Sequence, residues 1–313
     1  MDLAKRTFAR RGHSDRKRAN MATVAQAFQV FLQNIELTEA ERANASNQQN
    51  SLRQKIDLHF GGVVRDFLSG SYGRRTAIRP LNDIDVFLVL DKRVHADVDM
   101  RFAPELCLQK LGRALSAAYP TKDRPTIQGR SVHIEFSGTG IGYDVVPAFT
   151  VSGDMYTIPD RDRQTWINTN PEIHKQALIN ANARAGGKLN GLIKAAKRWN
   201  RQNGEPMRSF HMEVLGYGAL STAPASYVDG LAALFEHLAS AVQYVCPEPA
   251  RVGPNIDHGM TSAERGRIAT MLRTAAESVS YARILDARGL TEEAHFILRE
   301  LLGPEYPEDR KST

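Results

Sequence analysis

Apolar residues fall into two periodicities that divide the chain. Val24, Phe28, Phe31, Leu32 and Ile35 recur at the spacing of one helical face, which predicts an amphipathic helix. Thr38 followed by Glu41 makes a capping box, so a second, more polar helix opens there and runs towards Phe60. Residues 83–90, DIDVFLVL, are β-branched and apolar after the aspartates and predict a central strand. Pro104 to Ala118 returns to helical spacing through Leu108, Leu111 and Leu115. Residues 132–136, VHIEF, alternate as a strand. The stretch Ser137-Gly138-Thr139-Gly140 then turns the chain into GYDVV, residues 142–146, its expected antiparallel partner.

From about Thr165 the strand signals fade. Helices are expected over Ala177 to Asn203, Phe210 to Leu220, Val228 to Tyr244, Ser262 to Ala287 and Glu292 to Leu302. Thr261 with Glu264 caps one of them, and Gly289 and Gly303-Pro304 end others. Trp166, Asn168 and Pro171 are expected to fix the passage between two lobes, with Pro171 starting a helix. The layout is therefore α+β: a leader over 1–22, a mixed-sheet lobe with N-terminal helices over 23–165, and a helical lobe over 166–313.

Composition adds a class and a compartment. With 313 residues, 42% hydrophobic and 24% charged, the sequence is that of an ordinary globular protein with a sizeable core. No apolar run is long enough to span a bilayer and no secretory leader is recognisable, so cytoplasm is the expected location. Cys107 and Cys246 belong to no metal or redox motif and read as buried thiols. The net charge of +6 is concentrated at one end: residues 1–22 carry seven basic against two acidic side chains, five of the six excess charges. That leader reads as a solvated tail rather than a nucleic-acid arm, and Met21 is an alternative start.

The chemistry lies in GSYGRRTAIRPLNDIDVFLVL, residues 70–90. Side chains alternate along a strand, so Asp83 and Asp85 share a face while Ile84 and Val86 take the other. Two partly buried like charges are costly unless a cation compensates them. Asp144 on the neighbouring predicted strand supplies a third carboxylate, and such an oxygen-rich set suits Mg²⁺. Two ions of this kind can stabilise both the attacking hydroxyl and the leaving pyrophosphate of an in-line displacement. Gly70 and Ser71 offer close backbone approach and a hydroxyl for the β and γ phosphates.

Gly-Ser, eleven residues, Asp-Ile-Asp opening an apolar strand, and a later strand aspartate resemble the DNA polymerase β-like nucleotidyltransferase superfamily. Downstream, YTIPDRDRQTWINTNPEIHKQAL (156–178), LIKAAKRWN (192–200), RSFHMEVL (208–215) and FILRELLGPEYP (296–307) narrow the resemblance. They look like the bacterial cGAS/DncV-like nucleotidyltransferases, from about residue 50 onward. That resemblance implies a nucleotidyltransferase lobe packed on a C-terminal helical lobe. It implies synthesis of a cyclic di- or trinucleotide from ATP and/or GTP in anti-phage signalling, with two Mg²⁺ ions that Mn²⁺ can replace. A downstream effector would sense the product, a regulatory partner protein is compatible with it, and neither membrane nor nucleic acid is required.

By the same resemblance, Gly70 and Ser71 would bind the donor triphosphate and Asp83 and Asp85 would hold both metals. Asp144 would hold the catalytic metal and help activate the ribose hydroxyl. Lys197, in the K-x-W position, and Ser209 would reach the triphosphate, and Phe210 would stack on a base. Many relatives carry Asp-Pro-x-Gly before their last helices, whereas residues 245–255 here read VCPEPARVGPN.

Simpler readings stand beside these. Lys194, Lys197 and Arg201 share a helical face that could be a solvated stripe, Phe210 could only pack, and His133 and Glu135 read as a polar outer face. Two other functions use the same residues. A template-independent RNA-tailing enzyme needs a basic path that the near-neutral body lacks. An inactive nucleotide-binding module leaves three clustered carboxylates without a compensating role.

Overall fold

The computed structural model describes residues 23–98, 104–121, 124–136 and 140–308. The basic leader and residues 137–139 of the expected turn lie outside them. Two reciprocal capping boxes, Thr23 with Gln26 and Thr38 with Glu41, open helices α1 (Val24–Ile35) and α2 (Glu39–Phe60). After them come β1 (Val63–Leu68), a four-residue helical turn α3 (Gly70–Gly73), β2 (Asp83–Leu90) and α4 (Pro104–Ala118). Strands β3 (Thr126–Ile127), β4 (Val132–Phe136), β5 (Ile141–Ser152), β6 (Met155–Asp160) and β7 (Thr165–Thr169) follow. The chain continues as helices α5 (Pro171–Arg184), α6 (Leu189–Gln202), α7 (Ser209–Gly216), α8 (Tyr227–Ala241), α9 (Ser262–Ala287) and α10 (Thr291–Leu302).

The sheet runs β1-β2-β5-β4-β3, with β2 and β5 parallel and the other pairs antiparallel. β5 is long enough to leave this sheet at its far end and pair with β6, which pairs with β7. One face is apolar throughout: Ile84, Val86, Leu88 and Leu90 pack with Val132, Ile134, Tyr143 and Val145 under α2 and α4. The opposite face begins with the aspartates of β2 and closes on a smaller core of Phe87, Val89, Val146, Ala148, Tyr156 and Ile158. The third core is the helical lobe, built on Leu192, Ile193, Trp199, Leu231, Phe235 and Leu272.

The fold is α+β, and four details differ from the sequence reading. Helix α1 joins the helical core rather than the sheet lobe: Phe28 stacks on Tyr227 with ring centroids 5.6 Å apart, and Phe31 lies 6.0 Å from Tyr306. The single helix expected from Ala177 to Asn203 is two, α5 and α6, broken at Gly186 and Gly187, whose φ angles of 60° and 81° leave the right-handed region. The third difference is β1, whose residues VVRDFL do not alternate strictly between apolar and polar. β6 and β7 are the fourth; Pro159 argues locally against a strand, yet it lies beyond the residues of β6 that pair with β5.

Cys107 and Cys246 are buried thiols, pushed up to about 12 by burial, so neither is a nucleophile at neutral pH. No helix among the described residues is long and apolar enough to cross a membrane.

Candidate active site

Strand register assembles the site. Asp85 on β2 lies opposite Asp144 on β5, and Asp144 lies opposite His133 on β4. These three side chains therefore form a row across adjacent strands, with Asp83 two residues along on the same face. Gly142, the partner of Asp83, makes the approach possible: a Cβ there would meet His133 Cε1 at 2.4 Å and Asp83 Oδ1 at 2.8 Å. His133 Nδ1 stands 2.8 Å from Asp144 Oδ1. Asp83, His133 and Asp144 offer ligand atoms that all lie within 4.8 Å of one another. Asp85 stands outside that group, turned towards the α3 turn.

Burial is the largest cause that raises Asp85, to about 6, and the charge on Asp144 adds to it while Arg74 opposes. Burial likewise raises Asp144, with the hydrogen bond from His133 opposing. Carboxylates that resist ionising together, on a face open to a cleft, fit a divalent cation by the chemistry of their donors.

The α3 turn is tied to the same row. Ser69 donates its backbone N–H to Asp85 O at 2.9 Å, and the Ser71 carbonyl accepts from Thr76 and Ala77 at 2.8 and 3.1 Å. Gly70 has a φ of 56°, and a Cβ built on it would lie 1.6 Å from Asp85 Oδ2. Only glycine allows this contact. Gly70→Ala is therefore expected to displace Asp85 and cut product formation by roughly a hundredfold or more, measured as initial rate at saturating nucleotide. Unchanged activity would show that Asp85 and the turn need not touch.

Gly70, Ser71, Asp85 and Asp144 line one side of a cleft of about 670 Å³, and Ser209 and Phe210 line the helical side. Asp83, exposed, stands at the margin beside Asp144. The Arg74 guanidinium lies over the Phe210 ring, 4.5 Å from its centroid, and the His174 ring is 5.4 Å away. Phe210 is thus a cleft-wall aromatic held from two sides, rather than a packed core residue.

Lys197 is elsewhere. It is 3% exposed and does not line the cleft. Its ammonium is committed to Glu213 and to Thr76, whose carbonyl and hydroxyl it meets at 3.1 and 3.2 Å. Fully buried Glu213 also accepts from Arg74 Nε at 2.8 Å and from the Thr76 hydroxyl at 2.8 Å. Burial alone would raise the Glu213 carboxyl, but Arg74 and Lys197 outweigh it and hold the group well below its ordinary value. Along the same helix Lys194 pairs with Glu36, and Arg201 Nη1 donates to the carbonyls of Arg79 and Pro80, each at 3.1 Å. The basic stripe of α6 is neither solvated nor in the cleft. Lys197 and Arg201 grip the segment that leads from the Gly-Ser turn into β2, and Lys194 ties the helix to the end of α1.

Sequence reasoning missed Arg74, His133, Glu213 and Glu248. The polar face of β4 was legible, but only pairing with β5 makes it the face of the aspartates. Glu248 stands in the stretch that lacks Asp-Pro-x-Gly. Its carboxylate accepts the backbone N–H groups of Val252 and Gly253 and contacts His174, which organises the far rim of the cleft.

Residues 21–182, just over half of the chain, match the family described as the Second Messenger Oligonucleotide or Dinucleotide Synthetase domain, SMODS. The chain belongs to the SMODS family. A cyclic AMP-AMP-AMP synthase from Acinetobacter sp. (strain ATCC 27244 / 9458) is 26% identical, over 91% of this chain and 86% of that protein. The structure of E. coli MS115-1 CdnC with ATP superposes with a TM-score of 0.71 at 19% identity, over 91% of this chain and 99% of that one. CdnC in its HORMA-deltaN complex gives 0.69 at 20% identity, over 91% and 98%. As a bacterial cGAS/DncV-like member of the SMODS family, the chain is a nucleotidyltransferase that makes a cyclic oligonucleotide second messenger.

Proposed function

We propose that the cleft holds a donor ATP or GTP with its triphosphate on Gly70 and Ser71 and its base against Phe210, while a second nucleotide presents a ribose hydroxyl beside Asp144. The hydroxyl oxygen attacks the donor α-phosphorus, pyrophosphate leaves, and Asp144 takes the hydroxyl proton. The linear product then turns within the cleft so that its remaining hydroxyl attacks its own activated end. One observation carries this reading: the Asp85 and Asp144 row and the Gly70-Ser71 turn face a single cleft.

Divalent ions held by Asp83, Asp85 and Asp144, Mg²⁺ with Mn²⁺ able to replace it, would activate the attacking oxygen and neutralise the leaving pyrophosphate. The chain's own residues do the positioning. Glu213 holds Arg74 in place beside the turn, Arg74 backs the Phe210 ring, and Ser209, which lines the cleft at the start of α7, would offer its hydroxyl to a phosphate. The product would act on an effector in anti-phage defence in the cytoplasm. The CdnC complex supports a HORMA-type regulatory protein as a partner here.

The protein incubated with ATP, GTP and Mg²⁺ or Mn²⁺, without RNA, is expected to yield short phosphatase-resistant products by mass spectrometry. Deletion of residues 1–20 should leave them unchanged, because the charge pattern of the leader reads as a solvated tail rather than a nucleic-acid arm. Products that require an RNA primer, or that fall steeply with salt, would replace this reading with RNA tailing.

A further inference from the structure

We propose that His133 is a direct ligand of one of the ions in this centre, which makes the site a mixed nitrogen and oxygen one that prefers Mn²⁺ or Co²⁺ to Mg²⁺. This rests on reading the aspartates as metal-binding. It adds a donor from a different strand and of a different chemical kind.

Three independent features lead there. The first is place: β4 buries Val132 and Ile134 on the apolar side, so the residue between them must face the cleft side, and pairing sets it opposite Asp144. The second is distance. Ligands at neighbouring corners of an octahedron with bonds of ~2.1 Å are ~3.0 Å apart, by √2 times the bond length. His133 Nδ1 and Asp144 Oδ1 are 2.8 Å apart, and Asp83 joins them in a group whose ligand atoms all lie within 4.8 Å of one another. The third is the cradle. Any side chain at position 142 would drive His133 away from Asp83, and the sequence has glycine there.

The competing role for His133 is to donate an Nδ1–H to Asp144 and only position it. The two roles differ in whether an imidazole nitrogen touches the ion. Mg²⁺ takes oxygen donors and binds imidazole poorly, whereas Mn²⁺ and Co²⁺ accept both, with Co²⁺ the stronger for nitrogen. Ligation by His133 therefore carries a selectivity that an all-carboxylate site does not have.

Mn²⁺ bound to the full chain without nucleotide gives a direct readout by pulsed electron paramagnetic resonance. The expected spectrum shows ¹⁴N modulation, which disappears in His133→Gln as Mn²⁺ affinity falls by roughly tenfold or more. Mg²⁺ affinity, measured by competition, should change by less than about twofold. Bound Mn²⁺ without ¹⁴N modulation in the unaltered protein would overturn the ligation and leave the carboxylate centre standing. Modulation that survives in His133→Gln would also overturn it, since the nitrogen would come from elsewhere. If Mn²⁺ does not bind, or binds equally after Asp83→Asn and Asp144→Asn, the metal centre itself is refuted. The spectrum of the unaltered chain decides the question even if the variant folds poorly.

Discussion

Asp85→Asn and Asp144→Asn each reduce product formation by at least about a thousandfold while the protein stays folded, because each removes a charged oxygen donor from the centre of the reaction. Stability should move the other way. Asp85 is raised to about 6 from an ordinary 3.8, so its protonated form is favoured by folding. A group raised in this way contributes stability fully below pH 3.8 and loses it as pH rises through about 6. Above that, the metal-free protein carries an ionised Asp85 against Asp144. Asp85→Asn should therefore melt higher than the parent at pH 7.5 with chelator present, and the gap should close by pH 4. A variant that is inactive but melts lower at pH 7.5 would show that the carboxylate supports the fold and would weaken its reading as a metal donor held at a cost.

Glu213→Ala is expected to be the most damaging substitution away from the reacting atoms. It leaves Arg74 and Lys197 buried beside each other without their shared counter-charge, a loss of about 3–5 kcal/mol. The same change frees Arg74 from beside Phe210 and loosens Thr76, which follows the Gly70-Ser71 turn. Lys197→Ala is milder, since Glu213 keeps Arg74 and the Thr76 hydroxyl. Because Lys197 touches Thr76, just after the turn, and not the cleft, its loss should act by way of Thr76. A double-mutant cycle between Glu213→Gln and Lys197→Met should give a coupling of about 0.5–3 kcal/mol in thermal unfolding. Additive effects would mean that the two do not form one buried unit.

Gly70, Ser71 and Lys197, three of the residues named for phosphate binding, show how far local pattern reaches. Gly70 and Ser71 precede a strand aspartate at a set spacing that is readable in the sequence, and the structure adds that Gly70 takes a positive φ. Lys197 lies on an amphipathic helix whose basic face is just as visible, yet a helical face does not say what it meets. A lysine facing phosphate and a lysine facing a buried glutamate have the same sequence signature, and only the packing of α6 on α7 and on residues 76–80 separates them. His133 is the converse case. Its alternation along β4 was readable, but a polar strand face reads as solvent until the neighbouring strand is known.

What the sequence by itself determined is local in its physics. Helix caps, the apolar run of β2, the shared side of Asp83 and Asp85 and the glycine at 70 follow from backbone geometry and side-chain alternation over a few residues. Tertiary structure decided what depends on partners distant along the chain. Register between β2, β5 and β4 drew Asp85, Asp144 and His133 into one row. Packing assigned α1 to the helical core, and the buried carboxylate of Glu213 drew Lys197 inward, because an unpaired buried charge is far costlier than one with its counter-charge in place.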